Sequence, residues 1–77
     1  MDIYGNEMTE AEFLAEALVA ENCFAHGNDM LGALAAERCR QYISELVRLE
    51  KETNQPNSRI KELDARLPRG YQRIAHA

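Results

Sequence analysis

Phe24-Ala25-His26-Gly27-Asn28-Asp29-Met30-Leu31-Gly32 decides how this chain folds, because it closes one helical pattern and opens another within a few residues. Gly27 can take the left-handed conformation that ends a helix, and Asn28 or Asp29 can cap the N-terminus of the next. A link of about two residues favours antiparallel neighbours, an αα-hairpin.

Upstream, Thr9-Glu10-Ala11-Glu12 reads as a capping box. The Thr9 hydroxyl accepts from the Glu12 amide while the Glu12 side chain reaches back to the Thr9 amide, and Met8 with Phe13 adds a hydrophobic staple. Phe13, Ala17, Ala20 and Phe24 then recur at helical intervals, widened by Leu14 and Leu18. A first helix is predicted over about 9–26. Downstream, Gly32, Ala35, Cys39, Tyr42, Leu46 and Leu49 form a seven-residue seam, with Ala36, Ile43 and Val47 beside it. A second helix is predicted over about 29–54. Closing the hairpin sets Phe24 near Leu31 and Gly32, Ala20 near Ala35, Ala17 near Cys39, and Phe13 near Tyr42 and Ile43, so that large residues oppose small ones near the turn.

The second helix outruns the first, which leaves Leu46, Val47 and Leu49 in need of cover. Three covers are open: the N-terminal arm with Ile3, Tyr4 and Met8, a returning C-terminal segment with Ile60, Leu63 and Leu67, or a second chain. Pro56 breaks the long helix and Asn57 or Ser58 can restart a short one over about 58–67, closed by Pro68-Arg69-Gly70. The expected fold is therefore all-α. It is a single helical domain over 1–67, with an arm over 1–8 and a flexible tail over 68–77. At 77 residues burial only narrowly offsets conformational entropy, roughly 1.5 kcal/mol per ordered residue, so a supplement to the core is required. Pairing of two hairpins into a four-helix-bundle-like homodimer is the expected supplement, with Tyr42, Ile43, Leu46, Val47 and Leu49 as its interface.

Charge is graded along the chain. The first 29 residues hold seven acids and no Lys or Arg, whereas the last nineteen hold five bases and two acids, within a net charge of -4. Two partner-binding faces follow: an acidic one of Glu10, Glu12, Glu16 and Glu21, and a basic segment of Arg59, Lys61, Arg66, Arg69 and Arg73 with Tyr71 available for stacking. Acids in the first turns also suit the helix dipole. The overall acidity argues against nucleic acid as the partner of the basic segment, whose bases can instead attract the acidic helix. No apolar run approaches the roughly 20 residues of a membrane span. With two cysteines and a start that resembles no signal peptide, a cytoplasmic protein is expected.

Cys23-x-x-His26 with Cys39 and His76 falls short of the two tight ligand pairs of a structural zinc site, so neither metal nor cofactor is expected. A Cys23 to Cys39 disulfide is excluded by a pairing that sets them about two turns apart. No Gly-rich phosphate loop or nucleophile elbow occurs, and the carboxylate pairs Glu12 with Glu16 and Glu45 with Glu52 suit a solvated helix face. An enzyme is not expected.

In size, hairpin layout and seam the chain resembles the Rop family of plasmid copy-control proteins, which implies a dimeric bundle. RNA binding does not carry over, since Rop uses a basic helical face and the first helix here has no base. The turn also resembles one tetratricopeptide-type hairpin, an analogy of packing alone. The expected function is that of a small interaction module that binds and modulates, or inhibits, another protein, of the kind that phages and mobile elements encode. The alternatives are an acidic nucleic-acid mimic that blocks a basic groove, and a nucleic-acid binder that uses the basic segment.

Overall fold

A computed structural model of the chain describes residues 8–74. Within them lie three α-helices, α1 (Glu10–Ala25), α2 (Asp29–Thr53) and α3 (Arg59–Asp64), and a 3-10 turn over Arg69–Tyr71. The described residues are helical with no strand, and the two long helices pack together as an antiparallel hairpin. The arm with Ile3 and Tyr4, and His76 in the tail, fall outside the described residues.

The start of α1 forms as its sequence requires. Glu12 N donates to Thr9 Oγ1 at 3.1 Å and Thr9 N donates to Glu12 Oε1 at 2.8 Å, a complete capping box. Met8 packs against the core cluster that contains Phe13, in keeping with the staple. Its end is equally specific. Gly27 takes φ 76°, Asn28 N donates to the Cys23 carbonyl at 2.7 Å and Gly27 N to the Phe24 carbonyl at 3.2 Å. Those two bonds make a Schellman motif, which satisfies carbonyls that the helix end leaves over. His26 Nδ1 lies 2.8 Å from the Asn22 carbonyl, within hydrogen-bond distance of the helix end.

Across the hairpin, small residues let the helices approach. Ala20, Ala35 and Ala36 form a buried cluster with Phe24 and Tyr71 against it. Gly32 is where contact is tightest: a Cβ there would stand 3.1 Å from three atoms of the Phe24 ring. At the other end of the hairpin the Phe13 ring stacks on Tyr42 with centroids 5.0 Å apart, and Cys39 Sγ donates to the Phe13 carbonyl at 3.7 Å. These are the neighbours that the hairpin register predicts.

The returning C-terminal segment covers part of the α2 overhang, at Leu46 and Val47, and leaves Leu49 exposed. Asn54 ends α2 in the left-handed conformation at φ 57°, and Asn57 restarts the chain, its N–H donating to Glu50 Oε2 at 2.8 Å and its Oδ1 accepting from Arg59 N at 3.0 Å. Ile60, Leu63 and Leu67 are then buried together with Phe13, Ala17, Cys39 and Ile43, and Leu46 and Val47 pack partly against that cluster. The short helix expected over about 58–67 ends at Asp64: Ala65 N makes the last helical bond, to Lys61 O, and two i to i+3 bonds, Arg66 N to Leu63 O and Leu67 N to Asp64 O, tighten the exit.

Residues 68–74, expected from the sequence to be a flexible tail, lie docked on this bundle. Asp64 is fully buried and accepts from the Arg73 and Ile74 amides at 2.9 and 3.0 Å. Gln72 Nε2 donates to the Leu67 carbonyl at 2.9 Å, and the Tyr71 ring meets Phe24 with centroids 6.1 Å apart. A carboxylate that accepts from two backbone amides replaces the water those groups would otherwise hold, which is why this polar stretch packs.

Candidate interaction site

The residues of the acidic face are engaged within the chain more than their charge alone indicates. Glu10 accepts from Arg59 Nη2 at 2.9 Å, Glu16 accepts from Arg38 Nη1 at 3.0 Å, and Glu12 belongs to the capping box. The Arg59 guanidinium beside Glu10 holds that carboxyl below its ordinary range, while Glu10 and Glu62 together raise Arg59. Glu12 and Glu21 are exposed and in no ion pair among the described residues, and of the two Glu12 is held by the capping box.

In the basic segment Arg59 is tied to both Glu10 and Glu62. Lys61, Arg66, Arg69 and Arg73 are exposed, with no ion pair among the described residues. On α2, Glu45 and Glu52 both bond Arg48, whose guanidinium they raise, so this carboxylate pair is bridged by a base.

Glu21 and Arg66, one from each predicted charged face, come together at a shallow groove between α1 and residues 65–68. Leu14, Leu18 and Glu21 follow one another at i, i+4 and i+7 and so share a flank of α1. One depression of about 250 Å³ is lined by Leu14, Ala17, Leu18, Glu21 and Arg66, and another of about 260 Å³ by Glu21, Phe24 and the Ala65 to Pro68 stretch. Both share Glu21 and Arg66, so the two run together along α1. Leu18 beside them is 58% exposed. The floor is apolar and the rim holds one charge of each sign, which suits the side of a helix or an extended segment of another protein better than a buried small molecule.

The five residues expected at a dimer interface divide differently. Ile43 has no exposed surface, Tyr42 stacks on Phe13, and Leu46 and Val47 are half-buried against the chain's own core, which leaves Leu49 exposed at 46%. Burial of Ile43 by α3 assigns it to the core of the single chain. Larger apolar exposure lies near the hairpin turn, at Leu31, Leu34 and Met30 on α2 and Val19 on α1.

Sequence reasoning missed Leu18 as a surface residue and Asp64 as an internal one. For Asp64 a signal was present: Ile60, Leu63, Asp64 and Leu67 follow at i, i+3, i+4 and i+7, so the acid stands on the inner face and requires a partner there. Both cysteines are free. Burial pushes the Cys39 thiol up to about 11, with Glu16 adding to the rise, which makes it a core residue of low reactivity. No helix among the described residues is long and apolar enough to cross a membrane. Comparison with protein-family models, with curated proteins and with solved structures returned no match.

Proposed function

We propose that this chain is a non-enzymatic interaction module that self-associates through its hairpin and binds and modulates another protein through the groove between α1 and residues 65–68. The observation that carries the reading is the placement of exposed Leu18 in a groove whose rim holds Glu21 and Arg66. Apolar surface held on a rigid helix and flanked by opposite charges supplies both affinity and orientation to a protein partner. The mimic reading is weakened by the engagement of Glu10, Glu12 and Glu16 inside the chain, since a phosphate-like array needs its charges free.

Affinity capture from host lysate, with and without nuclease, tests this with wild type beside Leu18→Arg and Glu21→Lys. A stoichiometric protein retained after nuclease and lost with Leu18→Arg supports the groove. The basic-segment alternative draws on the unpaired state of Lys61, Arg69 and Arg73 among the described residues. It is favoured instead if recovery vanishes with nuclease and with Arg69→Glu/Arg73→Glu while Leu18→Arg has no effect.

A further inference from the structure

We propose that α2 pairs antiparallel with α2 of a second copy, about a two-fold axis beside residue 40, an inference that rests on the self-association part of the reading above. Leu31, Leu34, Arg38, Tyr42, Glu45 and Leu49 recur at intervals of 3, 4, 4, 3 and 4, one face of a straight helix. Two contacts orient that face. Arg38 reaches Glu16 and Tyr42 stacks on Phe13, so it adjoins α1, whereas Ile43 and Ala36 pack towards α3 and the 3-10 turn. The face is open at both ends: Leu31 is 52% exposed, Leu34 54% and Leu49 46%. On α1, Val19 follows Glu16 by three residues and is 47% exposed, which extends the apolar surface across the hairpin.

The charge pattern selects the second occupant and its direction. Reversed about residue 40, Leu31 meets the partner's Leu49, and Arg38 meets the partner's Tyr42 with the partner's Glu45 one turn away. Apolar ends meet apolar ends and opposite charges meet in the middle. A parallel pairing in register sets Arg38 against Arg38 and Glu45 against Glu45, which is disfavoured. A two-fold interface must be self-complementary, and this sequence face is so in one direction only. α1 and the second copy then occupy adjacent sides of α2, the arrangement of a four-helix bundle, and the groove at Leu18 on the far flank of α1 remains free.

Cysteine crosslinking in a Cys23→Ser background tests the register. Antiparallel pairing sets Leu31 of the two copies about 27 Å apart along the axis, 18 residues at about 1.5 Å each, too far for a disulfide, and sets Leu31 against Leu49. Chains bearing Leu31→Cys alone or Leu49→Cys alone stay uncrosslinked on mild oxidation, and an equimolar mixture gives a covalent dimer. Sedimentation equilibrium is expected to show a dimer for wild type and a monomer for Leu31→Glu/Leu34→Glu, with helical circular dichroism kept. Self-crosslinking of Leu31→Cys, a monomeric wild type at millimolar concentration, or a dimer unaffected by the double Glu change overturns the proposal. Leu18→Arg separates the two readings: a dimer that persists while partner capture is lost bears on the groove alone, and a monomeric wild type that still captures its partner bears on the α2 pairing alone.

Discussion

Arg59 reaches Glu10 across 49 residues of chain, with Nη2 and Nε at 2.9 and 3.3 Å from its two carboxylate oxygens, and so straps α3 to the first turn of α1. The acidic start and basic end of the charge gradient meet there. Glu10 also stands at the positive end of the α1 dipole, and Arg59 at the start of α3 is compensated by Glu62 at 3.1 Å. Both side chains are about half exposed, so water and salt screen the pair, which orients the segment more than it stabilises it.

Glu10 has its folded-state pKa depressed, by the Arg59 hydrogen bond first. Its contribution is therefore present above the ordinary carboxylate value of 4.5 and is lost as pH falls through the lowered folded value. Denaturation midpoints measured from pH 7 to pH 3 at low salt are expected to fall on the acid side, and Glu10→Gln is expected to flatten that fall. An unchanged acid limb in Glu10→Gln would show that the strap carries none of it.

Cys39 behaves oppositely. Its folded pKa, raised to about 11 from 9.0 by burial, means that its stabilising contribution is complete below pH 9.0 and is lost as pH rises through about 11. Tyr42, raised by burial and by Glu10, adds to the alkaline loss. In native protein at pH 8 a disulfide-exchange reagent is expected to label Cys23 first and Cys39 only after unfolding, as peptide mass mapping would read. Equal rates at the two thiols would contradict the burial of Cys39.

Asp64→Ala leaves the Arg73 and Ile74 amides without their acceptor and removes a buried side chain, a cost of about 1–3 kcal/mol. Asp64→Asn retains an acceptor oxygen and is expected to lose less. Tryptic cleavage after Arg69 and Arg73 is expected to accelerate in Asp64→Ala before global unfolding, which limited proteolysis with mass detection resolves. Cleavage at the wild-type rate would mean that other contacts hold residues 71–74.

Gly32→Val is expected to destabilise by about 1–3 kcal/mol through overpacking, because its added bulk meets the Phe24 ring where a Cβ alone stands 3.1 Å away. Phe24→Leu removes ring atoms from that contact, so the double variant is expected to be more stable than the sum of the two single costs. Urea denaturation of the four proteins closes the cycle, and strict additivity would place the strain elsewhere.

Local chemistry made the hairpin legible. Thr9 with Glu12 and the Gly27 turn act over a few residues, and once that short turn fixes the register, the period of Phe13, Ala17, Ala20 and Phe24 against Gly32, Ala35, Cys39 and Tyr42 follows from it. The observed limits of 10–25 and 29–53 lie one residue inside the expected ones at both ends of α1 and at the C-terminal end of α2, where the expected ranges had included the capping residues.

Which of three covers lay over the overhang was a question of distance in space. Ile60, Leu63 and Leu67 had the right period, but only folding sets them against Phe13 and Ile43, where they cover Leu46 and Val47 and leave Leu49 exposed, while Ile3 and Tyr4 of the arm lie outside the described residues. The docking of residues 68–74 was hidden for a related reason: its anchor is Asp64, an acid that composition assigns to a solvated patch and folding places inside. The meeting of Glu21 and Arg66 at one groove, and the engagement of Glu10 and Glu16 elsewhere, likewise depend on partners 22 and 49 residues away for the engaged pair. The helices, their caps and the hairpin register are legible in the residues, because those are set by contacts within a turn or two of helix and by side-chain size at matching positions. Tertiary structure alone decided which charges remain free and which apolar residues remain exposed, because both depend on what the third helix and the tail cover when they return.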